Sequence, residues 1–223
     1  KMYYITPVFR YERPQSGRLR EHHQFGVEIF GSDSYIADLE VIMLGYHFFK
    51  SLGISDVRLH INNIGCSKCR IDYNKALKEF YHKNLDSLCS LCKERLDKNP
   101  IRILDCKELG CSNINQHAPK ISDYLCEDCK NHKQSLYNAL EKCGIDYIDD
   151  KKIVRGLDYY TGTVFEFISP SLGAQSTVCG GGRYNNLVSE IGGNKTPCVG
   201  FGLGLERLIM VMEQLSLFVG EKE

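Results

Sequence analysis

FRYERPQSGRLREHHQFGVEIFG, Phe9 to Gly31, is the stretch on which the reading of this 223-residue chain turns. Its two ends alternate apolar and polar side chains with the period of a strand, and its middle is rich in turn-forming residues. Residues 3–12 predict one strand and Arg13, Pro14, Gln15, Ser16, Gly17 and Arg18 a basic turn. Gln24 to Phe30 then predict the returning strand of an antiparallel hairpin. Alternate side chains of a strand share a face. Gln24, Gly26 and Glu28 therefore lie on one side, with Phe25, Val27 and Ile29 on the other. In the first strand Arg10 and Glu12 oppose Phe9 and Tyr11. One surface of the ribbon is polar and the other apolar, a pattern that a solvated sheet face also shows.

Working outward, Ile36, Leu39, Ile42, Met43, Tyr46, Phe49 and Leu52 form the apolar stripe of a helix over 36–52, stopped at Gly53. Val57, Leu59 and Ile61 alternate as in a half-buried strand. From Gly65 to Cys143 cysteines, lysines and short helical stretches dominate, with a second stripe at Leu77, Phe80, Tyr81, Leu85 and Leu88. Strand-like text returns at Ile153 and Val154 and at Thr163 to Ile168. Glycine-rich loops follow at Gly180 to Gly182 and at Gly192 and Gly193. A strand over Cys198 to Gly202 and a helix over Leu203 to Leu215 close the pattern. The chain reads as an α+β fold in which a mixed-sheet core, 1–64 and 144–223, is interrupted by a cysteine-rich insertion over 65–143.

The formal net charge is zero, so the chain as a whole advertises no nucleic-acid partner. Residues 65–143 carry 14 Lys and Arg against 11 Asp and Glu, an excess that suits contact with phosphates and equally a solvated surface. No apolar run is long enough to span a membrane, and Lys1, Met2, Tyr3 and Tyr4 lack a signal-peptide layout. They read as a strand that starts at once, as in a piece of a longer protein. The eleven cysteines are therefore read as thiols of a reducing, cytoplasmic protein. Cys66 and Cys69, Cys89 and Cys92, Cys106 and Cys111, and Cys126 and Cys129 make four close pairs. Two pairs supply one tetrathiolate site, so the eight suit one or two structural zinc ions. Sequential, interleaved and nested pairings all satisfy the spacing. Cys143, Cys179 and Cys198 are left over as buried thiols.

Arg155-Gly156-Leu157-Asp158-Tyr159-Tyr160 sets an arginine and paired tyrosines before a strand. Gly180-Gly181-Gly182-Arg183-Tyr184 permits close backbone approach to a ligand. Gly200, Gly202 and Gly204 precede a helix with Arg207 in its first turns, a setting suited to anions and, as often, to plain packing. His22 and His23 read as surface residues, Asp158 as a turn anchor and Tyr159 as packing.

Three stretches in this order resemble the histidyl-tRNA synthetases, a class II aminoacyl-tRNA synthetase family. Phe9 to Gly31 resembles motif 2 in its histidyl form. VRGLDYYTGTVFEF, Val154 to Phe167, resembles the histidine-specific signature, and GFGLGLERL, Gly200 to Leu208, resembles motif 3. The resemblance implies an antiparallel class II sheet flanked by helices, acting on histidine, ATP with Mg2+, and tRNA(His). It assigns Arg10 to the α-phosphate of ATP, Glu12 to the adenine region, Arg18 to the triphosphate or the tRNA end, and Arg207 to the γ-phosphate. Gln24 falls at the amino and carboxylate end of histidine, Glu28 and Tyr160 at the two imidazole nitrogens, and Tyr184 at the pocket wall.

Arg155 matches a family arginine at the α-phosphate. A carboxylate attacking a phosphate brings two anions together, and a fixed guanidinium relieves that repulsion. The insertion would touch the acceptor stem, with Lys75, Lys78 and Lys83 as candidates; a cysteine-rich insertion departs from the common family pattern. Motif 1, which builds the family's homodimer, and the anticodon-binding domain are not found, so the chain alone is expected to be poorly active or inactive. Two other readings fit part of the pattern: the synthetase-like, histidine-sensing regulatory subunit of ATP phosphoribosyltransferase, and a zinc-stabilised RNA-binding module.

Overall fold

The computed structural model describes residues 1–11, 14, 17–154 and 159–217. The hairpin forms from β1 (Met2–Phe9) and β2 (Glu21–Phe30), with Met2 opposite Glu28, Tyr4 opposite Gly26 and Thr6 opposite Gln24. Opposed residues share a face, so this register adds Tyr4 to the side carrying Gln24 and Glu28. Phe25, Val27 and Ile29 point the other way, into the main core. The apolar reverse face does not extend to Phe9 and Tyr11, which are 71% and 95% exposed. The reason is positional: β1 is the edge strand, and the helix behind the sheet packs against β2 and strands further in.

That helix is α1 (Tyr35–Ser51), capped by the Ser34 hydroxyl, which accepts from the Ile36 N–H. It ends before Gly53, whose φ of +74° reverses the chain without a Cβ penalty. β3 (Arg58–Asn63) follows, and the chain then leaves the sheet through α2 (Ser67–His82), α3 (Ser90–Lys98) and α4 (Leu109–Asn115). It returns along α5 (Glu127–Lys142) to β4 (Tyr147–Asp149), β5 (Thr161–Ile168) and β6 (Thr177–Arg183). The short α6 (Leu187–Glu190), β7 (Cys198–Gly204) and α7 (Leu205–Gln214) complete the order. The seven strands run β1-β2-β7-β6-β5-β3-β4, antiparallel throughout except for the β3–β4 pair.

Two main apolar clusters result. One lies behind the sheet under α1, α5 and α7, around Ile42, Phe165, Phe167 and Leu203. The other lies among α2, α3 and α4, around Leu77, Tyr81 and Ile103. Leu136, Tyr137 and Leu140 of α5 belong to the first cluster, so this helix, within the 65–143 stretch by sequence, is shared with the sheet.

Three local expectations are corrected. Gly180 to Gly182 are not a loop but the middle of β6, where Gly181 lets the strand crowd Gly200 of β7 and Phe165 of β5. Ile153 and Val154 are buried but form no strand: β5 begins at Thr161, and its pairing with β3 starts at Thr163. Leu203 ends up inside β7, and the last helix begins at Leu205. Among the described residues no helix is long and apolar enough to cross a membrane.

Candidate active site

The polar face of β2, β7 and β6 carries two adjoining cavities. The first, of about 360 Å3, is lined by Arg10, Arg18 and Arg207 together with His22 and the carboxylates Glu166 and Glu206. The second, of about 510 Å3, is lined by Tyr4, Glu28, Tyr159, Tyr160 and Tyr184. Gln24, Gly180 and Gly202 line both, so the Gln24 side chain sits at the junction. A Cβ at Gly202 would lie 2.6 Å from Gln24 Cδ, so any larger residue there would displace the Gln24 side chain from the junction.

The first cavity is a cationic cradle built on backbone carbonyls. Arg10 follows β1 and donates from Nε to Leu19 O at 2.6 Å, tying the two ends of the hairpin tip. Arg207, in the first turn of α7, donates from Nε to Gly17 O and from Nη1 to Thr177 O, both at 2.6 Å. It therefore joins the hairpin tip to β6 across the cavity. Glu206 accepts from the His23 amide at 2.8 Å and lies 3.0 Å from its ring Nδ1. Burial opposes ionisation of Glu206, but these bonds hold its carboxyl below the usual range. His22 faces the cavity rather than solvent, correcting its surface assignment. Burial and then Arg10 lower its pKa, keeping the ring neutral, and Nδ1 is enclosed with no protein partner.

The second cavity is an aromatic box around one carboxylate. The Tyr184 hydroxyl donates a very short hydrogen bond to Glu28 Oε2. Gln24 Nε2 donates to the Tyr4 hydroxyl at 2.8 Å. Burial raises the Glu28 pKa, and hydrogen bonds from Tyr184 and Tyr4 partly restrain the rise. Burial, followed by the Glu28 charge, likewise raises Tyr4 and Tyr184. Tyr160 is 7% exposed and its ring stacks near Tyr159, which meets Tyr184 edge-on at 5.8 Å. Tyr159 thus lines the box as well as packing. A carboxylate with unspent acceptor capacity inside such walls suits a compact ligand bearing an N–H donor.

Of the residues singled out in the sequence, Arg10, Arg18 and Arg207 meet in one cavity, Glu28, Tyr160 and Tyr184 in the other, and Gln24 between them. Glu12 and Arg155 lie outside the described residues. Sequence reasoning missed Tyr4, although strand parity in β1 puts it beside Gln24 and Glu28. It also missed the buried support of Tyr184. The neighbouring Arg183, 2% exposed, donates from Nε to Asp38 Oδ2 at 2.8 Å, and from Nη1 and Nη2 to the carbonyls of Ser32 and Ser34. Nothing in the one-dimensional pattern links Asp38 of α1 to Arg183 of β6, 145 residues away.

The eight paired cysteines form two clusters. Cys66 and Cys69, at the start of α2, meet Cys126 and Cys129, at the start of α5. Cys89 and Cys92, at the start of α3, meet Cys106 and Cys111. Within each cluster the sulfurs lie within 4.8 Å of one another. The pairing is therefore nested. Sulfur separations of 3.5 Å for Cys66–Cys69 and 3.9 Å for Cys66–Cys126 and Cys89–Cys106 compare with about 3.8 Å in a tetrahedral zinc–thiolate site. Backbone amides of Cys126 and Cys89 donate to Cys69 Sγ and Cys111 Sγ at 3.1 and 3.3 Å, the bonding expected around thiolates. Cys179 and Cys198 are buried as expected; Cys143, at the end of α5, is exposed.

Comparison with known proteins gives the family. The family model described as Histidyl-tRNA synthetase matches residues 1–208. The histidine–tRNA ligase of Caldanaerobacter subterraneus subsp. tengcongensis is 56% identical over the whole chain, which covers 54% of that protein. The Clostridium botulinum ligase is 53% identical, with 52% of its length covered. The chain thus spans about half the length of the curated relatives it matches. The apo histidyl-tRNA synthetase of S. aureus superposes with a TM-score of 0.77 at 35% identity, covering 97% of this chain and 52% of that one. An ATP phosphoribosyltransferase regulatory subunit/histidyl-tRNA synthetase from Bacillus halodurans C gives 0.62 at 25% identity, covering 94% and 57%. With motif-bearing residues gathered in two adjoining cavities and a family match over nearly its full length, the chain belongs to the histidyl-tRNA synthetase family.

Proposed function

We propose that this chain is the amino-acid-activating core of a longer histidine–tRNA ligase of the cytoplasm. The observation that carries the reading is the shared wall: a cavity lined by three arginines meets an aromatic box around Glu28, with Gln24 in both. Histidine in the box would offer an imidazole N–H to Glu28, with Tyr160 at the other ring nitrogen, and its carboxylate would meet Gln24. ATP in the arginine cavity would lay its α-phosphate by Arg10 and its γ-phosphate by Arg207, with Arg18 along the triphosphate. Glu12 would contact the adenine region. Magnesium accompanies ATP as substrate, and Glu166 and Glu206 are the oxygen ligands this cavity offers.

The histidine carboxylate oxygen attacks the α-phosphorus and a new P–O bond forms. The bond to the bridging oxygen breaks, and pyrophosphate leaves with that electron pair. Arginines fixed beforehand lower the cost of bringing the anions together and of charge on the phosphoryl oxygens. Arg155, by the family resemblance, supplies the nearest such charge. The terminal hydroxyl of tRNA(His) then takes the histidyl group and AMP departs. The insertion would clasp the acceptor stem, with Lys75 and Lys83 exposed on it; Lys78 already donates to Asp97 O at 3.1 Å. By the family resemblance the whole enzyme would act as a homodimer. Each thiolate cluster holds one structural zinc, giving two per chain.

A histidine-sensing regulatory subunit has no need of three arginines in one cavity, and a bare RNA-binding module has no need of the box. Calorimetry with histidine, ATP and a histidyl-adenylate mimic separates the three, and the mimic is expected to bind tightest. Histidine binding without preference for the mimic would point to the regulator, and binding of neither histidine nor ATP to the RNA module. In the full-length parent, Arg155→Ala is expected to slow adenylate formation about 10²–10³-fold with little change in histidine binding. Metal analysis giving fewer than about one zinc per chain would overturn the two-site assignment.

A further inference from the structure

The outer thiolate cluster sits where the insertion joins the sheet, and its first turn reaches both walls of the aromatic box. Cys66 follows Gly65, whose carbonyl accepts from the Gly162 amide at 3.0 Å, while the Ile64 amide donates to Gly162 O at 2.8 Å. Gly162 lies two residues after Tyr160. From the same turn of α2, Arg70 donates through Nη2 to the Tyr160 carbonyl. Ser67 Oγ accepts from Asn186 Nδ2 at 3.1 Å, two residues beyond Tyr184. The other half of the cluster, Cys126 and Cys129, opens α5, which runs back under the sheet. One ion bound there would fasten the outgoing and returning strands of the neck together. It would also fix the turn that holds Tyr160 from one side and the Tyr184 segment from the other. Both clusters border the same apolar core, but among the described residues the hydrogen bonds of Cys89 and Cys106 stay inside the insertion, to Cys111, Lys93 and Ile103.

We propose that zinc in the Cys66–Cys69–Cys126–Cys129 site is a positioning element of the histidine pocket, acting through Arg70, whereas zinc in the inner site only folds the insertion. The inference rests on the histidine-activating function and on zinc ligation, and it separates two ions that sequence spacing treats alike. A pocket wall displaced by an ångström costs binding and rate out of proportion to its distance from the chemistry. Loss of the outer ion should therefore raise KM for histidine while KM for ATP, bound on the far side of Gln24, stays near its original value.

The test uses the full-length parent, with zinc counted in each variant and adenylate formation followed by pyrophosphate exchange. Cys126→Ser is expected to lose one zinc and raise KM for histidine about tenfold to a hundredfold, with less than twofold change for ATP. Cys106→Ser should lose one zinc and shift KM for histidine less than twofold. Arg70→Ala should keep both ions and still raise KM for histidine, and adding Cys126→Ser to it should cost little more. Equal effects of the outer and inner variants, or an Arg70→Ala protein with unchanged KM for histidine, would overturn the proposal. Amide exchange provides a reading independent of substrate: loss of the outer ion should speed exchange at Ile64 and Gly162, and loss of the inner ion should not. If the parent fails to use histidine but shows that exchange pattern, the assigned activity is wrong and the clamp stands. Unchanged exchange after loss of the outer ion removes the clamp itself.

Discussion

In the sheet, Ile42, Phe165, Phe167 and Leu203 are fully enclosed and backed by three helices. In the insertion's core cluster, among the described residues, three of the twelve enclosed side chains it supplies itself are the thiol bearers Cys69, Cys92 and Cys111. Its helices α2, α3 and α4 have 16, 9 and 7 residues, and lengths below about 12–15 residues are marginal without tertiary support. One region is thus held by apolar burial across a wide sheet, and the other by a smaller core that closes around eight thiols. The contrast extends to function. In the sheet the chemical side chains stand at register positions of strands, where the scaffold aims them. In the insertion the thiols gather inward around its core, and charged side chains, Lys75 and Lys83 among them, face outward.

Metal removal should break that contrast open most forcefully. Structural zinc contributes about 10–16 kcal/mol in small thiolate domains. Stripping zinc with a strong chelator should therefore unfold the segment from α2 to α4 while β2, β7 and β6 stay protected, as amide exchange would reveal. Uniform loss of protection would show that the two regions fold as one unit.

Asp38→Ala attacks the sheet side instead. It leaves the Arg183 guanidinium buried beside an empty site, with Asp38 0% and Arg183 2% exposed in the native pair. Breaking a buried pair from one side costs about 3–5 kcal/mol. The unfolding free energy of the sheet should fall by that amount with the thiolate clusters' metal content unchanged; loss of zinc in this variant would mean the regions are more tightly coupled than their cores suggest.

Glu28 sharpens the comparison through pH. Burial raises its folded-state pKa, so its contribution to stability is full below the unfolded value and is lost as pH climbs through the folded one. The ionised form accepts an imidazole N–H much more strongly than the neutral acid does, so histidine affinity should rise across a window above the ordinary carboxylate range. Glu28→Gln should abolish that limb, leaving the titration of the substrate's own imidazole, and weaken selectivity against histidine analogues. A pH profile identical to that of the parent would remove Glu28 from the pocket.

The smallest effect is expected from Lys75→Glu and Lys83→Glu together. Affinity for tRNA(His) should drop a few-fold and its salt dependence flatten, with adenylate formation unchanged. Filter binding at two salt concentrations would check it, and an unaltered salt slope would move the tRNA contact elsewhere.

Much of the sheet was legible one residue at a time. Period-two alternation from Gln24 to Phe30 fixes which side chains share a face, because the pleat allows no other outcome. The stripe that ends at Gly53 marks α1 for the same local reason. The cysteine spacing marked the eight thiols that gather into two clusters, since a tetrahedral thiolate site needs two close pairs. Reading failed where the partner was distant. Gly180 to Gly182 looked like a loop because glycine lacks strand propensity, yet at Gly181 the close approach of β7 and β5 leaves no room for a Cβ. Tyr4 gained meaning only from facing Gly26, His22 from turning into a cavity, and Arg183 from Asp38.

The hairpin of Phe9 to Gly31 by itself determined a polar ribbon carrying Arg10, Gln24 and Glu28, since strand geometry is local. Tertiary structure alone decided that β7 lies against β2 and brings Arg207 to Arg10, and that Tyr184 reaches Glu28 across 156 residues. It also decided that the cysteine pairs nest rather than alternate. These are pairings between remote segments, chosen by which surfaces bury together, and no local propensity encodes them.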